Sequence, residues 1–303
     1  MPVGPPLPER LLDCADPQTR QESLDRAADA VRAGRVVVLP TDTVYGVGAD
    51  AFDVVAVAMV LAAKHRGREM PPPVLVPNPR TVDGLAVDVP MYARILMRQF
   101  WPGPLTLVLR SQPSLQWDLG ETNGTVALRM PDDEVALSLL AEVGPMAVTS
   151  ANLTGRPAAT TGQEALDQLG GAVAVYLDDG PRTGGLASTI LDCTGEEPVV
   201  LRAGALRVED VRAVLGTTRL RAPADGDEGP EPSTGETTAT QSTRAGAETV
   251  AGTTGAEETG AQRNDAEEAA GDETRGTPTA DLVGSVSPSG VTVPAGALRI
   301  LGP

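Results

Sequence analysis

The sequence contains little cysteine, histidine, lysine or aromatic residue, and these scarcities exclude several classes of function. The two cysteines, Cys14 and Cys193, match no zinc or redox spacing and form no disulfide framework. The single histidine, His65, lies among other cations, which argues against a Ser-His-Asp triad. Neither a P-loop nor a dinucleotide-binding fingerprint is present, and no apolar run approaches the length of a membrane-spanning helix. We therefore predict no metal site in the protein itself and no insertion into a membrane.

Composition divides the chain unevenly. Residues 1–17 are predicted to form an N-terminal arm, and residues 18–216 alternate apolar runs with turn signals. Residues 217–303 consist mainly of Thr, Ala, Gly, Glu, Asp and Pro, so they bury too little apolar surface to offset their ordering entropy and are predicted to be a disordered, acidic tail. The tail holds 6 arginines and 14 acids, a charge of −8, which leaves −9 of the total −17 for the rest. Because both parts are acidic, a broad nucleic-acid-binding surface is disfavoured and an anion site must be local.

One stretch, residues 36–68, combines the features of a binding pocket. A β-branched run ends at Pro40, a hydroxyl-rich loop follows over residues 41–46, and an Ala/Val-rich helix is predicted from about residue 53 to residue 63. That helix leads into Lys64, the only lysine of the chain, and into Arg66 and Arg68. Such an order is typical of α/β folds that bind an anionic small molecule beyond their strand ends. The alternative is that these cations only interact with the helix dipole.

The remaining pattern predicts an α/β fold with a twisted mixed sheet and flanking helices. Apolar strands and amphipathic helices are interspersed, but several predicted strand pairs lack an intervening helix, which favours a mixed sheet over a parallel one. Predicted helices cover residues 18–33, 53–63, 91–100, 134–143, 163–169 and 208–215. Predicted strands cover residues 36–39, 74–76, 105–109, 125–130, 146–149, 173–177, 188–192 and 198–201.

Hydroxyl, amide and cationic side chains recur near the ends of the predicted strands. Several cations without an obvious nucleophile suit catalysis by positioning and charge stabilisation, as in phosphoryl or nucleotidyl transfer with a metal ion carried in by the substrate. Arg129, within an apolar strand, needs either a structural acid or a ligand carboxylate as its partner. Ser150, Asn152, Ser188 and Arg202 have equally ordinary explanations as turn, cap or surface residues when each is taken alone.

Taken in order, these motifs resemble those of the YrdC-like threonylcarbamoyl-AMP synthases. The resemblance covers residues 20–216 and implies a concave active-site groove and the formation of threonylcarbamoyl-AMP and diphosphate from L-threonine, bicarbonate or CO2, and ATP. That product serves N6-threonylcarbamoyladenosine modification of tRNAs that read ANN codons. The motifs are Pro40-Thr41-Asp42-Thr43-Val44-Tyr45-Gly46, Lys64-His65-Arg66, Trp101-Pro102-Gly103-Pro104-Leu105-Thr106, Val126-Ala127-Leu128-Arg129-Met130-Pro131, Ser150-Ala151-Asn152, Ser188-Thr189 and Leu201-Arg202.

The resemblance also implies roles for individual residues. Lys64 and Arg66 would be catalytic, stabilising phosphate charge as diphosphate leaves, and Mg2+ would enter with ATP. The implied ATP-binding residues are Lys64, Arg66 or Arg68, Thr125, Asn152, Thr160 and Arg202. The implied L-threonine-binding residues are Thr41, Tyr45, Arg129, Ser150 and Ser188.

Two further expectations concern partners and location. The implied downstream partner is the tRNA threonylcarbamoyl transferase complex, and the alternative from another class is a non-enzymatic, RNA-binding YrdC-like module. Carbamoyl-adenylate chemistry of the hydrogenase-maturation type is disfavoured, because its acylphosphatase and zinc-finger motifs are missing. Residues 1–8 are proline-rich and lack the apolar region of a signal peptide, so a cytoplasmic location is expected.

Overall fold

The computed structural model describes residues 6–183 and 185–222. Within these ranges the chain forms eleven strands and seven α-helices. The strands are β1 Leu11–Asp13, β2 Val37–Leu39, β3 Gly46–Asp50, β4 Val74–Leu75, β5 Ala86–Val87, β6 Leu105–Ser111, β7 Thr125–Arg129, β8 Met146–Ser150, β9 Val175–Asp178, β10 Thr189–Asp192 and β11 Val199–Arg202. The helices are α1 Pro17–Arg32, α2 Val54–Ala63, α3 Val82–Leu85, α4 Met91–Phe100, α5 Glu134–Val143, α6 Gly162–Leu169 and α7 Val208–Leu215.

All of these strands belong to one mixed sheet, which confirms the predicted fold class. The strand order is β1-β9-β2-β3-β8-β4-β7-β6-β10-β11, and β5 pairs with β6. The pairs β1–β9, β2–β9, β4–β7 and β6–β10 are parallel, and the other pairs are antiparallel. Strands far apart in sequence are therefore neighbours, and the loops that follow them can meet.

Helices cover the sheet through three apolar clusters. Buried residues of α1 and α5 pack in one cluster that contains Leu24, Leu139 and Met146. Residues of α2 and α6 join Tyr45 and Val47 in a second cluster, and α4 and α7 pack over β6 and β7 in the largest. None of the helices in the described ranges has both the length and the apolar character needed to cross a bilayer.

Strand β3 is absent from the predicted elements, although it lies in the middle of the sheet between β2 and β8. Its glycines explain both the omission and the packing. A Cβ atom on Gly46 would lie 2.5 Å from Val148 Cγ1, and a Cβ atom on Gly48 would lie 2.6 Å from the Ala147 carbonyl oxygen. Two glycines in five residues resemble a loop in sequence, but here they allow close approach to β8.

The ends of the folded region also differ in detail from the predicted boundaries. Strand β1 lies within the predicted N-terminal arm, yet it pairs in parallel with β9. At the other end, the Arg221 N–H donates to the Pro198 carbonyl oxygen at 3.0 Å, so backbone pairing continues beyond residue 216. The predicted disorder of the tail concerns residues that, from 223 onward, lie outside the described ranges.

Candidate active site

Lys64 is the C-cap residue of α2, and its side chain is turned into the protein. Only 2% of the residue is exposed. Its Nζ donates to the Asn152 carbonyl oxygen at 2.8 Å, to Asn152 Oδ1 at 3.0 Å and, over a short contact, to the Ser150 carbonyl oxygen. Burial, and then the positive charge of Arg66, lower the pKa of Lys64 to about 7. Lys64 thus ties the end of α2 to the segment that follows β8, instead of presenting a freely rotating ammonium.

The two arginines after Lys64 have different surroundings. Arg66 is partly buried, and its Nη1 donates to Thr149 Oγ1 at 2.9 Å, while its Nε is buried and has no hydrogen-bond partner. Arg68 points outward, with 55% of its side chain exposed, and pairs with Asp118 at 2.7 Å. The structure therefore places Arg66, and not Arg68, beside Lys64 and the end of β8.

Arg129, the last residue of β7, has a structural acid as a partner. Its Nη2 donates to Asp42 Oδ1 at 2.5 Å, its Nη1 to Thr43 Oγ1 at 3.1 Å and its Nε to the Gly103 carbonyl oxygen at 3.1 Å. The residue is 6% exposed. A guanidinium has five N–H groups, so two remain after these bonds, one on each terminal nitrogen. Arg129 can therefore bind a ligand carboxylate as well as Asp42.

Arg202, the last residue of β11, is bound to Ser188, the residue before β10. Its Nη2 donates to the Ser188 carbonyl oxygen at 2.8 Å and to Ser188 Oγ at 3.2 Å. Ser188 Oγ also lies 2.8 Å from Thr106 Oγ1 at the start of β6. Burial lowers the pKa of Arg202, and the positive charges of Arg129 and Arg66 lower it further. Arg202 thus lies close enough to both arginines for the three charges to interact.

The cations of this cluster carry more positive charge than the surrounding acids balance. In residues 6–183 and 185–222, no carboxylate lies within ion-pairing distance of Lys64, Arg66 or Arg202, and Arg129 has only Asp42. Buried charges are costly without a counter-charge. Because the whole chain is strongly acidic, with a formal charge of −17, this local excess indicates a site for an anion from solution.

Hydroxyl groups surround these cations. Thr41 is buried, and its Oγ1 donates to the Val44 carbonyl oxygen at 2.6 Å. Ser150 Oγ donates to Asn152 Oδ1 at 2.6 Å, and the same oxygen accepts a hydrogen bond from Lys64 Nζ. Asn152 in turn donates from Nδ2 to the Arg156 carbonyl oxygen at 2.7 Å. The loop between β2 and β3 and the segment after β8 are therefore held by their own side chains.

Three predicted site residues make their side-chain hydrogen bonds to groups other than these cations. Thr125 is at the opposite end of β7 from Arg129 and bonds to the Thr122 carbonyl oxygen at 2.7 Å. Thr160 Oγ1 donates to Glu164 at 3.0 Å at the start of α6. Tyr45 is expected in the wall of the threonine pocket, but it is 0% exposed and donates to Asp178 Oδ1 at 2.8 Å.

Two charged residues near the site, Asp42 and Arg182, are not among the site residues predicted from the sequence. Asp42 pairs with Arg129, and its other oxygen, Oδ2, is buried without a partner. Arg182 bridges two acids and lies over the ring of Tyr45. Asp42 could have been found as the only carboxylate in the hydroxyl-rich loop. Arg182 was harder to identify, since it lies in a glycine-rich turn and such turns are usually at the surface.

A resident metal ion would need protein ligands of the right kind. Among the described residues, no group of three or more His, Cys, Asp or Glu side chains is placed to hold one. The residues present are instead suited to binding anions, so a divalent ion would depend on the phosphates of a nucleotide for most of its ligands.

Comparisons with known proteins identify the family of this chain. A family model for Sua5, YciO and YrdC proteins, described as telomere recombination, matches residues 29–204. A Mycobacterium tuberculosis protein, provisionally named threonylcarbamoyl-AMP synthase, is 55% identical over 204 residues, which cover 67% of this chain and 94% of that protein. The Bacillus subtilis threonylcarbamoyl-AMP synthase is 40% identical over 207 residues, covering 68% of this chain and 58% of that protein.

A solved structure gives the same assignment. Pyrococcus abyssi Sua5 complexed with L-threonine matches with a TM-score of 0.66 and 34% identity, over 70% of this chain and 62% of that chain. This chain therefore spans less than two thirds of the Bacillus and Pyrococcus proteins. Because the family model covers more than half of the chain and the sheet and site follow the expected motif order, the chain belongs to the Sua5/YciO/YrdC family.

Proposed function

We propose that this protein is an L-threonylcarbamoyladenylate synthase, a nucleotidyltransferase that joins threonine, bicarbonate or CO2, and ATP. The observation that carries the proposal is the cluster of Lys64, Arg66, Arg129 and Arg202, whose positive charge exceeds that of its acid partners in the described residues. Threonine carries a negative charge on its carboxylate, and ATP carries negative charge on its triphosphate. The relatives named as threonylcarbamoyl-AMP synthases and the Pyrococcus complex with L-threonine support this choice.

The reaction has two steps. The unprotonated amine of threonine attacks CO2, a C–N bond forms, and loss of one proton gives the carbamate; bicarbonate supplies CO2 with release of water. A carbamate oxygen then attacks the α-phosphorus of ATP, the bond between the α-phosphorus and the bridging oxygen breaks, and diphosphate leaves with Mg2+. Neither step needs a covalent enzyme intermediate, so the protein acts by holding the reactants in line and by stabilising charge.

The side chains take roles that follow from their surroundings. The two free N–H groups of Arg129 would bind the threonine carboxylate, with Thr41, Ser150 and Ser188 near the amino acid. Arg66 and Arg202, which lack carboxylate partners in the described residues, would bind the phosphates. Lys64 would keep the strand end in place and add positive charge. Thr125, Asn152 and Thr160 remain proposed ATP contacts.

The test is direct synthesis. The full chain is incubated with ATP, Mg2+, bicarbonate and radiolabelled L-threonine, and labelled adenylate and diphosphate are measured. The proposal expects both products in equal amounts and neither product without bicarbonate. Diphosphate release without labelled adenylate, or no release at all, would contradict it.

The same preparation tests the RNA-binding alternative. Thermal stabilisation by MgATP together with L-threonine favours the synthase, whereas stabilisation by double-stranded RNA or tRNA alone favours a binding module. Transfer of the product to tRNA by the threonylcarbamoyl transferase complex and a cytoplasmic location stay predictions.

A further inference from the structure

Arg182 is a charged residue that the proposed reaction does not yet use. It follows β9 by four residues, and its Nη2 donates to Asp133 Oδ2 at 2.9 Å and to Asp179 Oδ2 at 3.0 Å. Its backbone N–H donates to the Thr160 carbonyl oxygen at 2.8 Å, and its guanidinium carbon lies 5.5 Å from the centre of the Tyr45 ring. One side chain thus links the segment after β9, the start of α5 and the residue that precedes β3.

The acids that Arg182 contacts lie close to the partner of Arg129. Asp133 is the N-cap residue of α5, and only 8% of its side chain is exposed. Burial raises the pKa of the Asp133 carboxyl, and the negative charges of Asp179 and Asp42 raise it further. Asp42 is the carboxylate paired with Arg129. Asp42 Oδ1 also accepts the backbone N–H of Asp132, the residue before Asp133, at 3.0 Å, so the two acids lie close together between Arg182 and Arg129.

We propose that Arg182 is a positioning residue for the amino-acid substrate, because it neutralises Asp133 and so keeps Arg129 able to bind a second carboxylate. The inference rests on the proposed function, in which Arg129 binds the carboxylate of threonine. Without Arg182, the buried charge of Asp133 lacks a counter-charge beside the place where the threonine carboxylate binds. An unbalanced negative charge beside a bound carboxylate weakens binding of that carboxylate. The nucleotide site, at Arg66 and Arg202, should be much less affected.

Steady-state kinetics of the full chain test this with four proteins: wild type, Arg182→Met, Asp133→Asn and the double variant. Asparagine keeps the α5 cap, in which Asp133 Oδ1 accepts the Ala136 N–H at 2.8 Å, but removes the charge. Arg182→Met should raise KM for threonine about tenfold or more and leave KM for ATP within about twofold. Adding Asp133→Asn to Arg182→Met should lower the KM for threonine most of the way back to the wild-type value.

A merely structural role predicts a different result. If Arg182 only stabilised the fold, the double variant would be no better than Arg182→Met, and KM would rise for both substrates; either finding overturns the inference. Arg182→Lys keeps one charge, so its threonine KM should lie between those of wild type and Arg182→Met, and it carries the test if the methionine variant does not fold. Arg94→Met, which removes an exposed pair with Asp83, is the control.

The outcomes also separate this inference from the proposed function. A wild-type protein that forms the adenylate, with variants whose threonine KM is unchanged, overturns only the role of Arg182. A wild-type protein that forms no adenylate overturns the proposed function. In that case calorimetric binding of L-threonine to the same variants decides the role of Arg182, and absence of threonine binding by the wild type overturns both.

Discussion

The arginines of this protein differ most in what surrounds them. Arg66 is partly buried and Arg202 is exposed, and neither has a carboxylate within ion-pairing distance in the described part of the chain, while Arg68 and Arg207 form exposed ion pairs. Exposed pairs contribute little to stability, because water screens them. A partly buried cation without an ion-pair partner, such as Arg66, is costly to fold, so a protein that keeps it gains something else from its charge. In the proposed function that gain is the binding of an anionic substrate.

Arg66 and Arg68 provide a matched pair for this argument. Arg66→Met should cost about 2–4 kcal/mol of transition-state stabilisation, seen mainly in kcat/KM for ATP, because in the proposed reaction it removes a donor to developing phosphate charge. Arg68→Met should leave kcat/KM nearly unchanged, because that side chain is paired with Asp118 and faces outward. Steady-state kinetics with MgATP as the varied substrate measure both. Equal losses in the two variants would contradict the assignment.

From the lowered pKa of Lys64 we expect ATP binding to depend on pH. Its pKa is lowered to about 7 by burial and by Arg66, and a triphosphate bound nearby would raise it. Binding that raises a pKa takes up protons, so affinity is greatest below a pH of about 7 and falls as the pH rises through that value. Calorimetry in two buffers of different ionisation enthalpy, slightly above that pH, counts the protons. Lys64→Met should abolish the uptake, and an unchanged proton count would refute the role of Lys64.

For individual residues, the sequence predicted which side chains form the site better than it predicted their contacts. The motifs around Lys64, Arg129 and Arg202 pointed to an anion site, and the structure gathers these cations. The sequence could not separate Arg66 from Arg68, since both follow the same helix. Nor could it identify Asp133 as a partner of Arg182, because the two are 49 residues apart and meet only through the fold.

Strand β3 has a strict steric requirement at its glycines. Gly48→Ala would place a Cβ atom 2.5 Å from Val148 Cγ2 and 2.6 Å from the Ala147 carbonyl oxygen. Because backbone of β8 cannot yield without disturbing the sheet, we expect the free energy of unfolding to fall by about 1–3 kcal/mol. The control is Gly84→Ala in α3, where no atom lies within 4 Å. Urea titration of both variants measures the difference, and equal stabilities would contradict the packing argument.

Helices were predicted more accurately than strands, for physical reasons. The predicted ranges 91–100, 134–143 and 208–215 coincide with α4, α5 and α7, because apolar spacing and capping residues act within a few turns. Strand β1 was missed because it has only three residues and its partner, β9, is distant in sequence. Strand β3 pairs with the nearby β2 as well as with β8, and it was missed because its Gly-Val-Gly segment resembles a loop in sequence.

On the scale of the whole molecule, the C-terminal boundary of the catalytic domain can be tested by truncation. The family model ends at residue 204, and backbone pairing reaches Arg221, which bridges to Val199. A chain of residues 1–222 should therefore keep full adenylate synthesis. A chain of residues 1–216 loses the Arg221 backbone bonds to Pro198 and Val200 and should unfold with a free energy lower by about 1–3 kcal/mol. Product formation and urea denaturation of the two chains measure these effects, and loss of activity in the 1–222 chain would show that the tail takes part.

Lys64 gives this protein an unusual chemical property. It carries the only side-chain amine among 303 residues, so a reagent selective for amines can attack just this atom and the α-amino group. While three acceptors of residues 150 and 152 enclose Nζ, the amine is shielded from such a reagent. The rate at which an acylating probe labels Lys64 is therefore a direct record, in the native enzyme, of how often the active site opens to solvent.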